Sequence, residues 1–327
     1  MTPSRALRVA VAVALTAYFL WKAEPARVGR LLFAAHPGWI ATAVALVLVD
    51  RALMAQRWIA LLAPLTPGTR PPLREVLRIF FVSTFVGSFV PSVAGDVYRA
   101  YSLSRLRVSG AEAAASVLMD RVLGVLSIVA LGAAAVAALE PRLLDRGVLL
   151  TLCAAAAVCL AVALAVFSPR AALAARSMLA RFPGSRVRAT GERLLTAVRN
   201  YAGHRSVLAA VLATSLAVQG IRVLQAFCLG TALGLTVPLS AYFVFIPVIL
   251  LVMLLPVTVN GLGTGQLAFE SLFGRAGVPP PEAFALSILF IALGLVGNLP
   301  GAILYATTPS LSPAPNSGAS ATPARRR

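Results

Sequence analysis

The chain has 327 residues, 59% of them hydrophobic and only 12% charged, and its mean hydropathy is +0.87. Soluble domains carry about 25% charged residues, and residues 223–269 hold no charge at all, more than two membrane spans of roughly 20 residues each. These values exclude a soluble enzyme, a disordered chain and a secreted disulfide scaffold; the 29 Lys+Arg against 11 Asp+Glu flank apolar runs, as anionic headgroups and the positive-inside rule require, and form no nucleic-acid stripe.

In chain order, Arg5 and Arg8 precede an apolar run, 9–21, in the pattern of a signal peptide. With no small-x-small site ahead of Trp21-Lys22-Ala23-Glu24, an uncleaved first helix is expected. Five further spans are predicted at 39–62, 113–139, 147–168, 206–230 and 283–305. The expected fold is therefore an all-α polytopic membrane protein of about six spans in a single transmembrane domain, 1–306. A disordered basic tail, 307–327, follows it.

Two other apolar stretches do not read as plain spans. In 74–105 a helix-like run meets Pro91-Ser92-Val93-Ala94-Gly95, and in 239–275 another meets Pro256 and then Gly261-Leu262-Gly263. Such breaks free backbone groups that lipid cannot satisfy, so they survive only packed in protein or lining a cavity. Each stretch is predicted to be a re-entrant hairpin: a helix, a structural break (Pro91 and Gly95; Pro256, Gly261 and Gly263) and a shorter returning helix. A pair of full spans with a tight turn is the alternative. Six spans put both termini on one side. Segments on that side hold 19 Lys+Arg, the opposite segments 6 and the spans 4, which makes it the cytoplasmic side of a cell (inner) membrane.

The linker 169–205 places Leu173, Met178, Leu179, Leu194, Leu195 and Val198 at helical spacing among arginines, around Pro183-Gly184. It reads as a basic amphipathic helix on the cytoplasmic surface or as a solvated loop. A shift of 170 residues lays Arg105, Val108, Glu112, Ala113 and Ala115 over Arg275, Val278, Glu282, Ala283 and Ala285, with Gly95 over Gly265. Either this is chance in an Ala-rich chain, or residues 38–139 and 206–306 are inverted repeats of the kind transporters use, with a site at their interface.

Ionisable residues within membrane segments are costly and usually line a bundle interior or a wet cavity. They are Asp50, Arg51, Arg57, Asp96, Arg99, Asp120, Arg121, Arg222 and Glu270. Asp96 and Arg99, three apart, share a helix face and could be partners, and Asp96 could cap the helix after Gly95. Arg222 precedes the second hairpin, so an inverted repeat would bring it toward the same interface. The candidate substrate-binding residues are Asp96, Arg99, Asp120, Arg121, Arg222 and Glu270: arginines lining a headgroup path, acids holding them in place. A phosphate headgroup suits arginine's planar donor fork. The alternative is that Asp96 only caps and Asp120 only pairs with an arginine. Cys153, Cys159 and Cys228 sit in apolar runs, His36 and His204 lie apart, and no Ser-His-Asp set or nucleotide loop occurs. No cofactor, metal or catalytic residue is expected.

Three ordered motifs, Gly95-Asp96-Val97-Tyr98-Arg99-Ala100-Tyr101, Ala115-Ser116-Val117-Leu118-Met119-Asp120-Arg121, and Pro256 with Gly261-Leu262-Gly263, resemble the lysylphosphatidylglycerol synthase transmembrane family, a flippase-like family. The resemblance covers roughly 40–305. It implies a polytopic helical domain that moves or presents lipid-linked substrates, here a phospholipid or polyprenyl-phosphate-linked lipid. A membrane scaffold for a separately encoded glycosyltransferase or lipid-modifying enzyme is the alternative. Two departures stand out: Ala94 replaces the first of the family's two glycines before Asp96, and Gln266 occupies the family's Glu position, with Glu270 one turn later. The family's soluble aminoacyl-transferase domain has no counterpart in this sequence, so lipid aminoacylation by this chain alone is not expected.

Overall fold

The computed structural model describes residues 25–66, 71–89, 92–106, 108–138, 146–180, 185–254 and 263–307. Among them the regular elements are all helical: α1 (Pro25–Ala34), α2 (Pro37–Leu62), α3 (Leu73–Phe89), α4 (Ser92–Ser104), α5 (Gly110–Ala138), α6 (Arg146–Phe167), α7 (Pro169–Ala180), α8 (Ser185–Asn200), α9 (Arg205–Ala232), α10 (Leu239–Leu254), α11 (Thr264–Arg275) and α12 (Pro280–Thr307). Four of these, α2, α5, α9 and α12, are long and apolar enough to cross a membrane. A fifth crossing is added if Leu149–Leu164 and Pro169–Ala180, bent by 92°, count as one span. The predicted first span, 9–21, lies outside the described residues, as do Pro91, Pro256, Gly261 and the tail beyond Thr307.

Local chemistry sets the helix ends. Proline at the start of α2 suits a first turn whose N–H groups have no intrahelical partner, and His36 Nδ1 accepts the Gly38 N–H at 3.2 Å. Ser109 and Glu112 cap α5 reciprocally: each backbone N–H donates to the other's side chain at 3.2 Å. At α11 the Gly263 N–H donates to Gln266 Oε1, and Gly263 adopts φ +86°, a conformation only glycine takes without strain.

Two hairpins of short helices stand beside the long ones. At 1.5 Å per residue, α3 and α4 are about 26 and 20 Å long, short of a bilayer's ~30 Å core. They run antiparallel in close contact: Arg99 Nε donates to Ser83 Oγ at 3.1 Å, and a Cβ on Gly95 would lie 2.7 Å from the Ser83 carbonyl oxygen. Helices α10 and α11 repeat the arrangement, with Gly265 against Met253 and Phe273 against Tyr242 and Phe245 at 5.0 and 5.3 Å between ring centroids. In each pair a longer helix is followed by a shorter returning one, but Gly95, expected at the break, lies inside α4 instead, where its lack of a side chain lets α3 approach closely.

The longest contact in the bundle is between α2 and α9. Asp50 meets Arg222 and Arg57 meets Ser215, so the two helices are antiparallel. The main core surrounds α10, where Tyr242, Phe245, Ile246 and Ile249 are essentially inaccessible, and includes Phe269, Phe273 and Leu286. Several packing relations recur 170 residues apart. Leu62 and Ala232 end α2 and α9, and Gly110 and Pro280 begin α5 and α12. Helix α3 packs on α12 as α10 packs on α5, and α4 on α5 as α11 on α12.

Within the linker the described residues form α7 and α8; 181–184 lie outside the described residues. On α8, Ala197 and Val198 are buried against Leu61, Ala115, Met119 and Val166. That corrects the expectation of one surface helix: this apolar stripe is covered by protein. On α7 the large apolar side chains Leu173 and Met178 are exposed.

Candidate functional site

Five helices converge on Asp120. This residue, on α5, is 5% exposed. Its Oδ1 accepts from Arg57 Nε at 2.8 Å and also faces Arg57 Nη2 at 2.8 Å; its Oδ2 accepts from Arg99 Nη1 at 3.2 Å. Arg57 comes from α2 and spends Nη1 on Ser215 Oγ of α9 at 3.0 Å. Arg99 comes from α4, and its guanidinium carbon lies 5.0 Å from the ring centroids of both Trp58 and Phe80, within cation–π range. Trp58 Nε1 donates to Ser116 Oγ at 3.3 Å; Ser116 and Asp120 are one helical turn apart. The buried charges are thus held by matched donors and acceptors, which burial demands.

Next to this core lies a looser pair. Asp96 Oδ2 accepts from Arg121 Nε at 2.8 Å, with side chains 21% and 39% exposed. This corrects two expectations. Helix α4 begins at Ser92, so Asp96 lies beyond the first turn and is no N-cap. Its partner is Arg121 and not Arg99, whose carboxylate is Asp120. Asp96 meets Arg121 at Nε, and at 39% exposure the Arg121 side chain stays open to its surroundings. The set Arg57, Arg99, Arg121, Asp96 and Asp120 carries one uncompensated positive charge.

Arg222 does not join that set, contrary to expectation. Its Nε donates to Asp50 Oδ1 at 3.0 Å, while Arg51 Nη1 donates to Asp50 Oδ2 at 2.9 Å. Arg222 Nη1 reaches Gln219 Oε1 at 3.5 Å, and Gln219 Nε2 donates to Ser127 Oγ at 3.2 Å. Glu270 sits half-buried on α11, a helix that packs on α10 and α12 and away from both arginine sets. Sequence reasoning had flagged Asp50, Arg51 and Arg57 as charges within spans without giving them partners. It missed Ser83, Ser116, Ser127, Ser215 and Gln219. A signal existed for some of them: Ser215, Gln219 and Arg222 fall at i, i+4 and i+7, one helix face.

The positions 170 residues beyond Arg57, Arg99 and Asp120 hold Phe227, Phe269 and Phe290, and the latter two rings lie 5.6 Å apart. The Arg57–Arg99–Asp120 set therefore has no charged counterpart at the equivalent positions of the second half. At the end of α2, the buried Tyr201 hydroxyl donates to the Leu61 carbonyl at 2.7 Å; burial first, and the Asp120 charge second, push its pKa above the usual tyrosine value. Among the described residues no three His, Cys, Asp or Glu side chains gather as metal ligands.

A family model described as Lysylphosphatidylglycerol synthase TM region matches residues 5–301. No curated protein and no solved structure matches the chain.

Proposed function

Because the chain belongs to the lysylphosphatidylglycerol synthase transmembrane-region family, we propose that it translocates a phosphate-bearing lipid, a phospholipid or polyprenyl-phosphate-linked lipid, between leaflets. The observation that carries this reading is the excess positive charge around Arg121. Three arginines face two carboxylates in a bundle where ions are costly unless paired. A headgroup phosphate would supply the missing anion. Arg121 offers it a half-exposed donor fork, while Asp120 and the rings of Trp58 and Phe80 fix Arg99 beside it. The acids hold the arginines in position when no lipid is bound, and no covalent step is required.

The 170-residue correspondence supports an inverted repeat, because the equivalent helices α2 and α9 run antiparallel. Transporters of that design place their site where the repeats meet. The cytoplasmic placement of both termini and of the 169–205 linker follows from the 19-to-6 arginine and lysine bias. Reconstitution tests the proposal. Purified protein in phosphatidylcholine liposomes should expose inner-leaflet NBD-phosphatidylglycerol to dithionite, and Arg121→Gln should abolish this. Exchange only in the presence of a lipid-modifying or glycosyltransferase partner would instead identify a scaffold.

A further inference from the structure

The translocase reading places the headgroup at Arg121 but leaves the Asp50 cluster without a task. Asp50 is 1% exposed and divides one carboxylate between two guanidiniums. What remains of those two arginines is poorly served. Arg51 Nη1 and Arg222 Nη2 fall back on the Met54 thioether, at 3.3 and 3.0 Å, and a thioether is a weak acceptor. Arg51 Nη2 reaches the Gly294 carbonyl only at 3.4 Å. The buried Arg51 Nε has no hydrogen-bond partner among the described residues. Gly297 lies against it: a Cβ there would sit 3.1 Å from that nitrogen. Two cations on one anion, with a buried donor left over, is the signature of a missing anion.

The place is as informative as the chemistry. Asp50 and Arg51 lie halfway along the 26-residue α2. Contacts between α2 and α9 pair residue 50 with 222 and 57 with 215. Under the 170-residue correspondence, that antiparallel crossing is centred on residues 51 and 221. The cluster therefore sits where the two halves of the fold meet, midway between the helix ends. Its arginines are more open than the buried core: 13% and 20% exposed for Arg51 and Arg222, against 5% and 7% for Arg57 and Arg99. A buried polar seam joins the two regions. It runs from Asp120 through Arg57 to Ser215, then one turn along α9 to Gln219, which bonds both Ser127 and Arg222.

We infer that Arg51 and Arg222, held by Asp50, form a second phosphate-binding station at the centre of the molecule. The headgroup of an anionic lipid passes between it and the Arg99–Arg121 station, and the buried Arg57–Ser215–Gln219 hydrogen bonds connect the two. The inference rests on the translocase reading for its order of events, but the binding of an anion at Arg51 and Arg222 can be tested without it.

Native mass spectrometry of the full-length protein with added phosphatidylglycerol, phosphatidylcholine or inorganic phosphate counts bound ligands. The wild type should retain two phosphatidylglycerols per chain and Arg51→Gln/Arg222→Gln only one, with phosphatidylcholine less well retained. Arg222→Lys, which keeps a charge beside Asp50 but loses the fork, guards against misfolding: it should remain as thermally stable as wild type and still lose the second lipid. In liposomes each of these variants should exchange NBD-phosphatidylglycerol at least tenfold more slowly than wild type.

An unchanged lipid count in Arg51→Gln/Arg222→Gln and Arg222→Lys would overturn the second station. So would wild-type exchange in these variants while Arg121→Gln is inactive, an outcome that leaves the translocase reading standing. If the wild type exchanges no lipid, that reading falls, and the lipid count alone decides the station. Displacement of the second lipid by equimolar inorganic phosphate would assign the site to free phosphate and overturn the lipid station.

Discussion

Replacing Asp120 by alanine removes the one carboxylate shared by Arg57 and Arg99, both more than nine-tenths buried. Breaking a buried pair leaves an uncompensated charge and costs about 3–5 kcal/mol. Here a single change strands two guanidiniums, so the loss should reach at least the upper part of that range. Arg99→Ala should cost less, because Asp120 keeps its contacts at 2.8 Å with Arg57 Nε and Nη2; losing one charged hydrogen bond is worth about 1.5–3 kcal/mol. Asp96→Ala breaks only the half-exposed pair with Arg121 and should cost under about 1 kcal/mol. The order Asp120→Ala, then Arg99→Ala, then Asp96→Ala should appear in thermal unfolding of the detergent-purified variants. In a double-mutant cycle, Arg99 should couple to Asp120 and not to Asp96. A variant lacking Asp120 that unfolds no earlier than one lacking Asp96 would refute the assignment of partners.

Three other outcomes follow from the structure. Gly95→Ala would put a methyl 2.7 Å from the Ser83 backbone oxygen and should destabilise the hairpin by about 1–3 kcal/mol; Gly294→Ala, with nothing within 4 Å, should be neutral or better, as melting temperatures will show. Tyr201→Phe leaves the Leu61 carbonyl, one of the last in α2, without its donor, at a cost of about 1–3 kcal/mol. Since folding raises that phenol's pKa, the wild type holds this contribution below about pH 10 and loses it as pH rises beyond; an equally steep alkaline loss in Tyr201→Phe would contradict that. In a cysteine-free background, cysteines introduced at Thr190 and Ser317 should resist an impermeant maleimide in intact cells and react in inverted vesicles, and the reverse pattern would place both segments outside.

The class of the protein and most of its helix inventory were legible from the chain alone. Uncharged runs of span length and the glycine turn at Gly263 are properties of neighbours in sequence, and local patterning reads them directly, whereas Gly95 proved to lie inside α4. The same locality shows that Asp50, Arg57, Asp120 and Arg222 lie within long apolar helices. It cannot say which acid meets which arginine. Three residues' separation made Asp96 and Arg99 look like partners, yet Asp96 turned to Arg121 and Arg99 to Asp120. Arg222 likewise found Asp50, and the apolar stripe of α8 found α5 in place of lipid. Those choices depend on the rotation of each helix about its axis and on the register of α2 against α9. Both are set by side-chain packing across the bundle, where no residue's neighbours in sequence reveal its neighbours in space.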